Sequence, residues 1–141
     1  MIQRIQSVWF LLAAVFGFAM SQVPLFIATY ANSVTKNLLA TESLLLFALS
    51  IGVACLAVFC IFLFRNRSLQ FKLGVIGVIL SLALVGLEVW QIEQFKAANT
   101  LVKGTYYWGG LLPIAMTISF FMASRGVYKD ERLIKSVDRL R

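Results

Sequence analysis

The sequence predicts an all-α integral membrane protein with four transmembrane helices in a compact bundle, cytoplasmic N and C termini, and a short amphipathic C-terminal helix. Three observations predict this fold class. Hydrophobic residues make up 60% of the 141 residues and charged residues only 13%, with a mean hydropathy of +0.86, a balance that is unusual for a soluble domain. Several apolar runs are long enough to cross a bilayer. Lysine and arginine concentrate in segments that would share one side of the membrane.

The chain is expected to form a single membrane domain over residues 1–141, because the spacing of the apolar runs leaves no room for a soluble domain. The predicted elements are helices at about 5–30, 43–64, 69–95 and 106–124, and a cytoplasmic amphipathic tail at 128–141. No histidine is present, which removes the commonest metal ligand and the usual acid–base group at neutral pH. The two cysteines do not form a CxxC motif. No cofactor is expected.

The first apolar run carries no charge from Ile5 to Thr35, which exceeds the ~20 residues needed to cross about 30 Å of hydrocarbon. Pro24 divides this run, and a proline inside a helix removes one backbone hydrogen bond and clashes with the preceding turn. The helix therefore either continues past Pro24 with a kink or ends there. We favour one kinked or tilted helix that anchors the chain.

The second run, residues 43–64, has no charged residue and is apolar on all sides, which is typical of a helix surrounded by lipid and protein. The segment RNRSLQFK follows at 65–72 and predicts a short basic turn between two helices.

Small residues four positions apart recur in the predicted helices, and in lipid such residues permit close backbone approach. They favour a compact bundle, although any one stripe could instead face a partner protein. The residues four apart are Ala13, Gly17 and Ser21; Ala48 and Gly52; Gly77 and Ser81; and Ala115, Ser119 and Ala123. The third helix also contains Gly74 and Gly86.

The third helix carries an acidic residue near its apolar span. If that span enters the bilayer near Phe71, Glu88 lies about 25 Å along the helix axis, close to the outer boundary and to Trp90. We favour a carboxylate that reaches interfacial water. The alternative is a functional intramembrane carboxylate that carries a proton or contacts a cation.

An aromatic cluster, Tyr106, Tyr107 and Trp108, marks the entry of the fourth helix. Such residues are typical of the belt where hydrocarbon meets water. This interpretation is favoured over a ligand-binding cluster.

The distribution of lysine and arginine predicts the topology, because cytoplasmic segments carry an excess of both. Only Lys36, Lys96 and Lys103 lie in the two loops assigned to the outside. The N-terminus, the 65–72 turn and the tail hold ten of the 13 cations: Arg4, Arg65, Arg67, Lys72, Arg125, Lys129, Arg132, Lys135, Arg139 and Arg141.

The tail after the fourth helix has an amphipathic pattern. Leu133, Ile134, Val137 and Leu140 fall on one helical stripe, and the cations lie elsewhere. This helix either lies on the inner leaflet, where its cations meet anionic lipid, or docks against a protein, including the inner ends of the bundle itself.

Both ends of the chain resemble a known family. The segments MIQRIQS at 1–7 and KDERLIKSVDRLR at 129–141, together with GTYYWG at 104–109, are similar to the domain of unknown function 4293 family, small four-helix inner-membrane proteins of Bacteroidota. The resemblance implies the topology above and an inner-membrane location. It implies no catalytic residue, because the family has no established activity.

The leading hypothesis is a non-enzymatic membrane protein, an accessory or scaffold subunit of a larger inner-membrane complex that docks through its cytoplasmic ends. Its expected partners are other inner-membrane proteins and anionic lipids at the cytoplasmic face, with no nucleic acid; a homo-oligomer stays open. The predicted docking residues are Gln3, Arg4, Arg65, Arg67, Lys129, Arg132, Leu133, Lys135, Val137, Arg139 and Arg141.

The alternative hypothesis is a small proton-coupled transporter that works as a homo-oligomer around Glu88, which requires that carboxylate to be buried in a water-accessible cavity. An enzyme is the least favoured class, because the sequence contains no recognisable nucleophile–base pair, metal-binding cluster or phosphate-binding loop.

Overall fold

Long apolar stretches of the chain form most of each α-helix, and the segments between the helices form turns, 3-10 helices and short strands. The computed structural model describes residues 3–30, 34–99 and 103–138. Short 3-10 helices, Ala40–Glu42 and Trp108–Leu111, precede the second and fourth α-helices. The main elements are α1 (Gln3–Ala19), β1 (Phe26–Thr29), β2 (Thr35–Leu38), α2 (Leu44–Phe62), α3 (Arg67–Ala98), β3 (Lys103–Tyr106) and α4 (Leu112–Asp138).

Each α-helix packs against two others, because α1 and α3 both contact α2 and α4. Phe10 of α1 and Phe120 of α4 meet edge to face with ring centroids 6.0 Å apart, a preferred aromatic geometry. The core between the helices is apolar and includes Phe10, Ala13, Met20, Leu46, Val53, Ala57, Leu84, Met116, Phe120, Ala123 and Val127. Large apolar side chains also cover the outer helix faces, which is typical of a surface made for lipid or a partner.

Among the described residues, three segments are long and apolar enough to cross a membrane: Leu44–Phe62, Arg67–Ala98 and Trp108–Ile134. Helix α1 is apolar but has only 17 residues, which is about 26 Å at 1.5 Å per residue. That length is slightly below the hydrocarbon thickness of about 30 Å. The prediction of apolar helices of membrane length is therefore confirmed for three segments, and a fourth span stays a prediction.

The prediction of one kinked helix over residues 5–30 is wrong, because α1 ends at Ala19. The backbone before a proline disfavours the helical conformation, so the chain turns ahead of Pro24. The amide of Leu25 then donates to the carbonyl oxygen of Leu38 at 2.8 Å. A strand takes the place of the predicted second half of the helix.

A three-stranded antiparallel sheet in the order β2–β1–β3 corrects the all-α prediction. Phe26 and Ala28 of β1 point to one face, because successive side chains of a strand alternate between its faces. They are buried together with Ile92 of α3, and the partly buried Phe95 packs against this cluster. Gly104 of β3 pairs with Ala28, and an added Cβ at Gly104 would overlap the ring of Phe26. The sheet is thus fastened to the end of α3.

Helices α3 and α4 are longer than predicted. Helix α3 has 32 residues, about 48 Å, and its far end carries the sheet. Helix α4 runs without a break to Asp138, so the predicted separate helix at 128–141 is a continuation of α4; residues 139–141 lie outside the described part of the chain. The stretch contains good helix formers and no proline to stop it.

Glycines of α3 allow α4 to approach closely. Gly74 and Gly77 are buried, and an added Cβ at Gly77 would overlap the ring of Phe120. By contrast, Ala48 and Gly52 of α2 are exposed. Small residues show where backbones can approach, but not which face of a helix meets its neighbour.

We expect Gly77→Ala to lower the thermal unfolding midpoint in mild detergent by several degrees, because the new methyl group must displace the Phe120 ring and overpacking costs about 1–3 kcal/mol. Gly86→Ala is the matched control on the same helix, since its added Cβ has no atom within 4 Å. Circular dichroism against temperature measures both variants. Equal midpoints would show that this close approach does not limit stability.

Candidate functional site

Polar side chains collect at the two ends of the bundle. The start of α1, the α2–α3 turn and the C-terminal part of α4 meet at one end, which we call the basic end. The three strands and the 3-10 helix before α4 form the opposite end, which we call the sheet end.

A buried carboxylate organises the basic end. Asp130 of α4 is only 6% exposed, Gln6 Nε2 donates to its Oδ2 at 2.6 Å, and Arg67 Nη1 lies 4.0 Å from the same oxygen. Gln70 Nε2 donates to the carbonyl oxygen of Cys60 at 2.9 Å, which ties α3 to the end of α2. A buried charge persists only when it is paired and hydrogen-bonded, and these contacts attach the C-terminal part of α4 to α1 and α3.

The outward face of α4 at this end is cationic. Arg125, Lys129 and Arg132 are exposed and follow one another at helical spacings of four and three residues. Leu133 and Ile134 beside them are about half-exposed. A surface cavity of about 420 Å³ is lined by Arg125, Tyr128, Lys129, Arg132, Leu133 and Ser136.

The predicted docking residues whose side chains are described all lie at the basic end. Arg65 is exposed in the α2–α3 turn, whereas Arg67 is partly buried beside Asp130. Lys129, Arg132 and Leu133 belong to the outward face of α4. The predictions for six further side chains lie outside the described part of the structure: Gln3, Arg4, Lys135, Val137, Arg139 and Arg141.

The sequence analysis did not identify Asp130 or Gln6 as candidate site residues. A signal for Asp130 was present. It lies three residues after Val127 and seven after Ala123, both of which are buried, so the helical period places it on the buried stripe of α4.

At the sheet end the structure buries Glu88, which is 4% exposed, and so corrects the favoured expectation of a carboxylate in interfacial water. The reason is the close approach of the 3-10 helix before α4. Gly110 lies directly against the carboxyl group, and an added Cβ there would be 2.9 Å from Glu88 Oε1. Within the described residues, Glu88 has no hydrogen-bond or ion-pair partner.

Glu88 lines a cavity of about 510 Å³, a size typical of small-molecule sites. On α3 the wall follows one helical face. The aromatic residues that were expected to form a membrane belt line the same cavity, so the structure joins two features that the sequence analysis treated separately. The full lining is Val85, Glu88, Val89, Ile92, Tyr106, Tyr107, Trp108, Gly110, Leu111 and Ile114.

The nearest cation of α3 is already engaged. Lys96 Nζ donates to Glu93 Oε1 at 2.8 Å and to the hydroxyl of Tyr106 at 3.2 Å, and it lies 4.9 Å from the centroid of the Tyr106 ring. Eight residues separate it from Glu88, about 12 Å along the helix. Lys96 therefore does not neutralise Glu88, but it shows that a ring of this cavity accepts a cation on its face.

Polar groups between the two ends are widely spaced. Thr117 Oγ1 donates to Ser81 Oγ at 2.9 Å, two turns of α3 away from Glu88, about 10 Å. A further two turns along, Ser124 Oγ of α4 faces Gly74 and has no hydrogen-bond partner among the described residues. These side chains do not form a continuous hydrogen-bonded path through the described bundle.

In the described residues, no group of three or more His, Cys, Asp or Glu side chains is placed to hold a metal ion. Both cysteines are free thiols. The family model described as "Domain of unknown function (DUF4293)" matches residues 2–140. No curated protein and no solved structure matches the chain.

We expect Asp130→Ala to destabilise the protein by about 1–3 kcal/mol, because it leaves the buried Gln6 amide without its acceptor. Lys129→Ala, one residue away on the exposed face, should change stability by less than about 0.5 kcal/mol. Thermal or denaturant unfolding of both variants in the same detergent compares them. Indistinguishable stabilities would mean that the Asp130 contacts do not hold α1 and α3 to α4.

Proposed function

We propose that this chain, which belongs to the DUF4293 family of unknown function, is a non-enzymatic accessory or scaffold subunit of a larger inner-membrane complex. The basic end is its docking surface. The observation that carries the proposal is the C-terminal part of α4, which buried Asp130 attaches to α1 and α3. Its other faces expose cations beside half-exposed Leu133 and Ile134.

Charge supports placing the basic end in the cytoplasm of a bacterial cell. The helix ends that meet there carry most of the lysine and arginine residues of the chain, and cytoplasmic segments of membrane proteins are enriched in both. In this arrangement α1 acts as the fourth membrane span, and both termini are cytoplasmic. Anionic lipid headgroups then lie beside Arg65 and the cationic face of α4.

The form of α4 supports a protein partner at this surface. A helix that is anchored at Asp130 presents its side chains without the ordering cost that a disordered tail incurs on binding. The planar guanidinium group of Arg132 can donate two parallel hydrogen bonds to a carboxylate. The half-exposed side chain of Leu133 offers an apolar surface for contact. The expected partner is another membrane protein whose cytoplasmic segment combines acidic and apolar residues.

We expect the double variant Arg132→Glu, Leu133→Ser to reduce partner recovery at least tenfold after gentle detergent extraction, measured by mass spectrometry of proteins that co-purify at native expression level. Reversing the charge creates repulsion with an acidic partner, and the serine removes apolar contact. These substitutions leave Asp130 in place, whereas deletion of 129–141 would also remove its contacts with Gln6 and Arg67.

The matched control is Lys103→Glu, which makes the same charge change on an exposed residue of β3 at the sheet end. It should leave the partner bound. Retention of the partner by the double variant, with normal membrane insertion, would contradict docking through this face. If the wild type recovers no protein partner and the double variant loses binding to anionic vesicles, the surface binds lipid and not protein.

A second candidate function is proton-coupled transport around Glu88 in a homo-oligomer, and one observation favours it: the carboxylate is buried beside a cavity. Polar side chains along α3 and α4 are separated by about two helical turns. This spacing favours a ligand that binds at one end over a ligand that passes through a single copy of the protein.

If Glu88 carries the coupled proton, Glu88→Gln should abolish uptake of a lipophilic cation into proteoliposomes driven by a pH gradient, because the amide cannot release a proton. Glu42→Gln, the same change at an exposed position of the sheet end, should retain uptake. Equal uptake by wild type and Glu88→Gln would contradict coupling through this residue.

A further inference from the structure

We propose that the cavity around Glu88 binds a monovalent organic cation with an apolar body, of the class of lipophilic amines and quaternary ammonium or phosphonium ions. The inference goes beyond docking at the basic end and does not depend on it. It starts from the juxtaposition of one buried carboxylate with three aromatic residues around a single cavity.

The carboxyl group of Glu88 is buried without a counter-charge among the described residues. Glu88 is 96% buried and lines the cavity, and it has no hydrogen-bond or ion-pair partner among the described residues. A carboxylate in such surroundings is costly unless a counter-charge is present. The cationic side chains of the described sheet end are held elsewhere or exposed: Lys96 bonds to Glu93, Lys36 lies 3.4 Å from Glu42, and Lys103 is exposed.

The aromatic rings of the cavity are suited to a positively charged ligand. Tyr106, Tyr107 and Trp108 line the same cavity as Glu88, and aromatic faces attract cations, quaternary ammonium groups in particular. Trp108 is 73% exposed, so its ring is available to a ligand. The contact between Lys96 and Tyr106 shows the same attraction within the protein itself.

The lining does not suit calcium or magnesium. Calcium and magnesium require several oxygen ligands at short distance, and the described lining offers one carboxylate among mostly apolar and aromatic side chains. The walls of Val85, Ile92, Leu111 and Ile114 instead suit an apolar body. One carboxylate matches one positive charge, which defines a monovalent ligand.

The test uses the full-length protein in nanodiscs of zwitterionic phosphatidylcholine, with tetraphenylphosphonium as the probe and equilibrium dialysis as the measurement; empty nanodiscs give the background. We expect saturable binding by the wild type. Tetraphenylborate, which has the same shape and the opposite charge, should not compete. Failure of the folded wild type to bind the phosphonium ion, or equal binding of the borate, would overturn the proposal.

Glu88→Gln keeps the size of the side chain and removes its charge, so affinity should fall at least tenfold while thermal stability is maintained. Trp108→Leu should weaken binding several-fold through loss of the aromatic face. Glu42→Gln, which removes one negative charge outside the cavity, should bind as the wild type does. Unchanged affinity in a folded Glu88→Gln variant would overturn the role of the carboxylate.

A second pair of variants tests the geometry without changing charge. The added methyl group of Gly110→Ala lies 2.9 Å from Glu88 Oε1 and must displace the carboxylate, so affinity should fall. Gly86→Ala adds a methyl group with no atom within 4 Å and should have no effect. The double variant Arg132→Glu, Leu133→Ser of the partner-docking experiment lies at the opposite end of the bundle, so failure of either proposal leaves the other unaffected.

Discussion

The close approach of α4 and its preceding 3-10 helix to α3 is the constraint on which the structure depends, and glycine makes it possible at three levels. Gly74 and Gly77 lie where any side chain would overlap residues of α4, and Gly110 lies against Glu88. In lipid the hydrophobic effect does not draw helices together, so association relies on such close packing. The ring of Phe120 and the carboxyl group of Glu88 take their positions from this approach.

Hydropathy was sufficient for the helix that is apolar on all sides. The second helix was predicted at 43–64 and is observed at Leu44–Phe62, because a charge-free run of this length without a proline has few alternatives to a helix. The sheet was missed because strand Phe26–Thr29 is apolar and short, and hydropathy alone does not separate it from the end of a helix. One partner, β2, follows β1 directly, but the other, β3, lies far along the chain, and that second pairing cannot be read from local periodicity.

The candidate site shows the same limit. Glu88 and the aromatic residues Tyr106 and Trp108 were identified individually, but their common cavity depends on Gly110 bringing the start of α4 against α3. Axial distance along one helix placed Glu88 near a boundary, yet it contained no information about the sheet and 3-10 helix that cover that boundary. Burial is a property of tertiary contacts, whereas depth was estimated from a single helix.

Helix α4 connects the two ends as one unbroken rod. Its first turn follows the cavity wall at Gly110 and Leu111, and its cationic face lies beyond Arg125. The rod is 27 residues long, about 41 Å, and has no internal break to absorb a displacement. A ligand that shifts its first turn must therefore strain the Asp130 contacts or tilt the cationic face, and any resulting coupling between the two ends would be reciprocal.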